Sequence, residues 1–314
     1  MFFFEVRHFY RENMTTSIAL PLAERTTSLI AFFALLLGAA ALACGGVFLR
    51  QSELPPTASA VYRVALAIPV LFFFDIFSAK AERKQFPDRL QSSPVPLILI
   101  GFIFSGNLAL YHWSMTLTTL ANSNLLANLA PIFVVVGAKM FFHQKFKKGF
   151  IFGMVFALAG AVVLISARLD LGSSYMTGNL FGIVTAMFYG AYLLAVSRVR
   201  ANFRTTSVMA WSSVGTFIVL LPITLMRGEP LIPHTLHGIL VLLALALISH
   251  VGGQGLIAYA LAKLPAALSS VTLLVQPVIA TLLGWYLLHE YLRITEFIGG
   301  AIVLIGIMIA RRHS

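Results

Sequence analysis

The sequence predicts an all-α polytopic membrane protein, with ten transmembrane helices in two inverted five-helix repeats. Three observations lead there. Of 314 residues, 59% are hydrophobic and 11% charged, with a mean hydropathy of +0.90; a soluble domain is nearer half apolar and a quarter charged. Apolar runs recur with little between them, each close to the roughly 20 residues that cross a bilayer core about 30 Å thick. The chain also aligns with itself, without a gap, at an offset of 146 residues.

Ten spans are expected, at residues 29–49, 58–78, 95–116, 120–142, 149–167, 177–197, 206–226, 236–259, 265–288 and 294–311. Backbone groups in lipid must bond within the segment, so the spans are helices; barrel strands would alternate in polarity instead. The connectors are short and carry Pro, Gly or charge, as in "PP" at 55–56, "KAERKQFPDR" at 80–89 and "RGEPLIPH" at 227–234. The first 28 residues mix Phe, Arg, Glu and Thr without a continuous apolar run, so they are expected as a cytoplasmic tail and not a cleaved signal. Met14 is an alternative start. The first repeat is then placed at 29–170 and the second at 171–314.

Charge sets the expected orientation. With both termini in the cytoplasm, sixteen Lys and Arg residues fall on that side, among them Arg83, Lys84, Lys147, Arg200 and Arg312. Only Arg50, Arg168, Arg227 and Arg293 fall on the other side, while Arg63 and Lys139 lie within spans. This is the asymmetry of the positive-inside rule. It accounts for the net charge of +11 and the pI near 10.1 without a nucleic-acid partner, since a nucleic-acid binder gathers its charge on a polar face. The single cysteine, Cys44, excludes an intrachain disulfide and a multi-Cys metal site. There is no phosphate-cradling Gly-rich loop with its Lys, no HExxH and no Ser/His/Asp arrangement. No cofactor and no enzymatic activity are expected.

The repeat is concentrated in two stretches. Ala121, Ser123, Pro131, His143, Gly153, Leu158 and Gly160 fall on Ala267, Ser269, Pro277, His289, Gly299, Leu304 and Gly306, and Lys147 falls on Arg293. Five spans per repeat is an odd number, so the second repeat inserts upside down. That is the plan of secondary transporters, which bind substrate near the midplane where the repeats meet.

The segments "LANLAPIFVVVGAKMFFHQKFKKGFIFGMVFALAGAVVL" (126–164) and "TLLVQPVIATLLGWYLLHEYLRITEFIGGAIVLIGIMI" (272–309) resemble the drug/metabolite transporter superfamily, specifically its EamA-type proteins with two five-helix repeats. So does "LPPTASAVYRVALAIPVLF" (54–72), with Arg63 in the second span. The resemblance covers about residues 29–311. Glutamates commonly follow the fourth and ninth spans in that family; Glu290 matches, while position 144 is Gln. The resemblance implies a carrier that exports a small metabolite from a bacterial inner membrane.

Polar residues within spans are the candidate substrate contacts. Asn124 and Asn128 are four apart on one helix face, with Pro131 continuing it. Proline removes a helix hydrogen bond and loosens the preceding turn. The amides there either bind a ligand or act as helix–helix glue, where such contacts are worth about 0.6 kcal/mol on average. Gln276, beside Pro277, holds the matching place in the second repeat, with Thr272 one turn earlier. Asn122 is expected as glue or interface. Asn107 lies mid-depth in the third span, and His250 and Gln254 are four apart in the eighth. Histidine titrates near neutral pH, which makes His250 the candidate proton coupler, with a neutral structural role as its alternative. Arg63 lies about 9 Å into the second span at 1.5 Å per residue; it either pairs structurally or contacts a substrate anion. Tyr189 in "TAMFYGAYLL" is a candidate pocket wall, and Asp75 and His112 read as interfacial. Gly153/Gly160 and Gly299/Gly306 are expected as close-packing seams.

The expected substrate is an amino acid or a similar zwitterionic or neutral polar compound. It is expected between the third, fourth, eighth and ninth spans, with the first, second, sixth and seventh moving as gates. Two other classes compete. A multidrug exporter of lipophilic cations requires a carboxylate in the cavity. A non-transporting assembly or sensory protein requires a soluble domain or loop.

Overall fold

The computed structural model describes residues 22–82, 93–166, 169, 172–288 and 291–314. Ten helices are long and apolar enough to cross a membrane: α1 (Thr26–Gln51), α2 (Pro56–Ser78), α3 (Val95–Leu117), α4 (Leu120–Phe142), α5 (Lys148–Ile165), α6 (Met176–Val199), α7 (Thr205–Met226), α8 (Leu236–Leu261), α9 (Ala266–Leu287) and α10 (Ile294–Arg312). Each of the ten expected spans is present, with its ends moved by a few residues. No strand occurs among the described residues.

Several helices are interrupted where the sequence removes a backbone donor. In α4, regular helix ends at Ala127, turns through Asn128 and Leu129, and resumes at Ala130 with Pro131 in its first turn. In α9 the same break follows Thr272, and helix resumes at Val275 ahead of Pro277. A proline in the first turn is harmless because its missing N–H would have no intrahelical partner there. The two breaks are thus related by the repeat. In α2, helix pauses at Leu66, between Arg63 and Pro69. In α8 the stretch Leu245–Gln254 is wound as π-helix, a form concentrated at functional sites.

Packing follows a pseudo-two-fold pattern. α5 packs on α10, and α2 on α7. Every other main pair has its counterpart when the repeats are exchanged: α3 with α6 matches α8 with α1, and α4 with α6 matches α9 with α1. Small residues set the close approaches. A Cβ at Gly153 would lie 2.4 Å from the Ala310 nitrogen, and one at Gly306 would lie 2.4 Å from the Ala157 nitrogen. The glycine seams expected in α5 and α10 therefore pack against each other. Between α3 and α7 the approach is tighter still: a Cβ at Gly101 would lie 2.1 Å from the Ser212 carbonyl oxygen, and one at Gly215 2.2 Å from that of Ile98. Lipid tails are as apolar as these side chains, so such contacts hold the bundle through van der Waals packing and not through exclusion of water.

Carboxylates join α2 and α7 at both ends. At the end bearing the C-terminus, Asp75 accepts hydrogen bonds from Thr206 Oγ1 (2.6 Å) and Ser207 Oγ (2.7 Å) and pairs with Arg204 at 3.5 Å. At the opposite end, Glu229 accepts from the Ala58 N–H at 3.1 Å and pairs with Arg227 at 2.8 Å. Each carboxylate sits at the N-terminus of the other repeat's helix, where the helix dipole favours negative charge. Glu53 also clasps the far end, accepting from the His234 and Thr235 N–H groups and from the Thr235 hydroxyl. These bonds hold its carboxyl below the usual carboxylate range. Gly228, with φ +63°, supplies the left-handed turn that brings Glu229 back toward α2.

Candidate substrate site

Buried polar groups meet midway along the bundle. On α6, Tyr189 and Tyr192 are three apart and stack with ring centroids 6.1 Å apart. Phe104 of α3 lies 4.6 Å from Tyr192 and 5.9 Å from His250 of α8. This aromatic wall unites α3, α6 and α8. The Tyr189 hydroxyl, Gln254 Oε1, His250 Nδ1 and Arg63 Nε are buried without a hydrogen-bond partner. Gln254 and Gln276 are the amides beside the Tyr189 hydroxyl, short of hydrogen-bond geometry, and Arg63 lies within electrostatic reach of both tyrosines. Tyr189 is therefore the common neighbour of one cation from the first repeat and two amides from the second.

An unmade hydrogen bond to a buried polar group costs about 1–3 kcal/mol. A charge in a membrane span costs about 2.5–3.5 kcal/mol on insertion scales. Four such atoms in one region make a place where a polar ligand would relieve the structure. The ion pairs Asp75–Arg204 and Arg227–Glu229 engage other arginines, and no carboxylate among the described residues pairs with Arg63.

The other sequence candidates have protein partners. Asn107 Nδ2 donates to the Thr185 carbonyl at 3.2 Å and ties α3 to α6. Asn124 Oδ1 accepts from the Tyr111 hydroxyl at 2.6 Å, and Asn128 Nδ2 donates to the Asn124 carbonyl at 2.7 Å, stitching the break in α4. Thr272 is fully buried and donates to the Leu268 carbonyl one turn back. His250 Nε2 lies 2.8 Å from Ser213 Oγ of α7. Asn122 is 2% exposed and donates to Thr118 and Asn179, where α3, α4 and α6 meet.

Several expectations move. Arg63 and Tyr189 bring α2 and α6, expected as gates, into the polar centre, because the repeat exchange that packs α3 on α6 also sets α6 beside α8 and α9. Asp75 is engaged by α7 and lines a pocket with Arg204, Ser207 and Trp211. His112 is buried within the bundle, with 5% exposure. Glu290 lies outside the described residues, as do Met14 and residues 1–21 of the expected tail. Sequence reasoning missed Phe104, Tyr192 and Ser213. The spacing of Tyr189 and Tyr192 in "YGAY" was the available signal for one helix face; no local signal marked Phe104 or Ser213.

Comparison with known proteins agrees with this architecture. The chain is 22% identical to the pseudopaline exporter CntI of Pseudomonas aeruginosa over 69% of its own length and 75% of the relative's. It is 25% identical to a protein named as a probable terminal-alkyne amino-acid exporter of Streptantibioticus cattleyicolor, over 65% and 68% of the two chains. An uncharacterized transporter of Bacillus subtilis, YdfC, is 21% identical over 90% and 91%. A solved crystal structure superposes with a TM-score of 0.75 at 21% identity, covering 92% of this chain and 98% of the other, which establishes the shared fold. The EamA-like transporter family profile matches twice, at residues 29–166 and 176–312. The chain is a multi-pass membrane protein that belongs to the EamA-like transporter family, whose named relatives carry small molecules and are not enzymes.

Proposed function

We propose that this protein is an alternating-access exporter of amino acids or similar zwitterionic and neutral polar metabolites. The observation that carries the reading is the set of unpartnered buried groups, Tyr189, Gln254, His250 and Arg63, drawn from both repeats. The substrate pathway comprises Arg63, Asn107, Tyr189, His250, Gln254 and Gln276. Asn124, Asn128 and Thr272 shape the broken helices beside it. Two relatives, one named as a probable terminal-alkyne amino-acid exporter and one as a pseudopaline exporter, support the direction of transport. The excess of Lys and Arg on one side supports cytoplasmic termini, and the likeness to a Pseudomonas exporter supports a bacterial inner membrane.

The repeats rock against each other about the α2–α7 pair, and the contacts at Asp75 and at Glu229 and Glu53 alternate as closures. A multidrug exporter of lipophilic cations fits less well. Among the described residues, Asp75 is engaged by Thr206, Ser207 and Arg204 at the start of α7, and Glu296 is taken up in the first turn of α10 by the Arg293 N–H. Neither supplies a carboxylate to the polar centre.

The test is flux in proteoliposomes across a panel of amino acids, nucleosides and quaternary amines, with and without a pH gradient. Flux of amino acids by the wild type supports the reading, and flux confined to quaternary amines favours the cation exporter. Gradient dependence that disappears in His250→Gln assigns coupling to that histidine; flux indifferent to the gradient assigns facilitated diffusion.

A further inference from the structure

Resting on that reading, we infer that the polar centre recognises the carboxylate of its substrate, with Arg63 as its anchor, and that it tolerates loss of the substrate's positive charge. The Arg63 Nε has no hydrogen-bond partner, and the electrostatic neighbours of the guanidinium are the phenols of Tyr189 and Tyr192. His112 and His250 also lie within its field. Among the described residues, its electrostatic neighbours are thus phenols and imidazoles.

A guanidinium presents planar paired donors that match a carboxylate bidentately. The Arg63 Nε is buried without a partner, so a donor is already dehydrated and aimed at nothing the protein provides. The pause of α2 at Leu66 lies three residues on, and Pro69 leaves the Ala65 carbonyl without its helical donor. The backbone beside Arg63 is therefore under-bonded as well.

The rest of the centre suits the remainder of such a substrate. Gln254 Oε1 is 3% exposed at the residue level and needs a donor, which an amine, amide N–H or hydroxyl next to the carboxylate can supply. An N–H of an acylated amine serves as well as an ammonium, because no carboxylate waits to neutralise a cation. Tyr189 and Tyr192 offer an aromatic face for the side chain. The site therefore selects for net charge of zero or minus one and rejects cations.

The experiment uses the purified full chain in detergent and in proteoliposomes. Probes are the twenty amino acids, their N-acetyl derivatives and their carboxamides. Binding is read by thermal shift and equilibrium dialysis against wild type, Arg63→Gln and Arg63→Lys. The expected result is that at least one amino acid binds, its N-acetyl form binds within about threefold, and its carboxamide binds at least tenfold more weakly. Arg63→Gln loses at least tenfold in affinity for the acids while melting as one folded species, and Arg63→Lys recovers part of it.

A carboxamide that binds as tightly as its acid, unchanged affinity in Arg63→Gln, or no binding by any acid overturns the carboxylate assignment. If Arg63→Gln does not fold, the comparison of acid with carboxamide on wild type still decides. The transport reading fails separately: acids that bind but never cross leave the anchor standing and remove the carrier. Flux of carboxylate-free nucleosides by Arg63→Gln keeps the carrier and removes the anchor.

Discussion

The two broken helices, α4 and α9, occupy equivalent places in the repeats but end differently. In α4 the polar side chains close on the protein itself: Asn128 binds the Asn124 carbonyl, and Asn124 receives the Tyr111 hydroxyl. In α9 the matching region presents Gln276 toward Tyr189, a hydroxyl that is buried and still without a hydrogen bond. Duplication supplied the same proline-induced break twice. One copy has its loose turn stitched by its own asparagines, and the other sets Gln276 beside the Tyr189 hydroxyl of α6. A polar residue in a membrane helix is therefore no guide to substrate contact until its partners are known, and an unpaired one is the better candidate.

That contrast can be broken most severely at Arg63. The substitution Arg63→Gln is expected to abolish measurable flux while the protein still purifies as a folded monodisperse species by size-exclusion chromatography. Next in size is Gln254→Leu, which should separate stability from function. Removing an unsatisfied buried oxygen is expected to raise stability by about 1 kcal/mol, seen as a higher melting temperature, while flux falls about tenfold. Asn122→Ala should do the reverse: two donated hydrogen bonds are lost between helices, stability falls by about 1–2 kcal/mol, and flux in the folded fraction is unchanged. The smallest effect belongs to Glu53. Its carboxyl is held below the usual carboxylate range by Thr235 and the backbone N–H of His234. A group whose folded pKa is depressed stabilises above its unfolded pKa and loses that effect as pH falls through the folded value. The melting difference between wild type and Glu53→Gln is therefore expected to be constant from pH 8 to about pH 5 and to shrink only below about pH 4.

The fold was largely legible because lipid imposes strong local rules. Length and apolarity mark each span without reference to its neighbours, and the matched Pro131/Pro277 and Gly153/Gly299 positions mark the duplication. Even the glycine seams were readable, since spacing by seven keeps two glycines on one face. The site was less so. Asn124 and Gln276 look alike in sequence, both polar and both near a proline, and only the tertiary contacts separate the one bonded to Tyr111 from the one beside Tyr189. Arg63 and Tyr189 were visible singly. Their meeting depends on how α2 and α6 cross α8 and α9, which no periodicity encodes. The Asp75 and Glu229 contacts across the α2–α7 pair were hidden for the same reason: each joins residues more than a hundred positions apart.

The most direct measurement is a crossed pair. Gln276→Ala and Asn128→Ala are reconstituted side by side, and each is scored for initial flux and for melting temperature. Gln276→Ala is expected to lose about fivefold in flux, the worth of one hydrogen bond near 1 kcal/mol, and to keep its melting temperature. Asn128→Ala is predicted to keep its flux and to melt at a lower temperature. Equal loss of flux in both variants, or loss in Asn128→Ala alone, would contradict this expectation and move the substrate contact to α4.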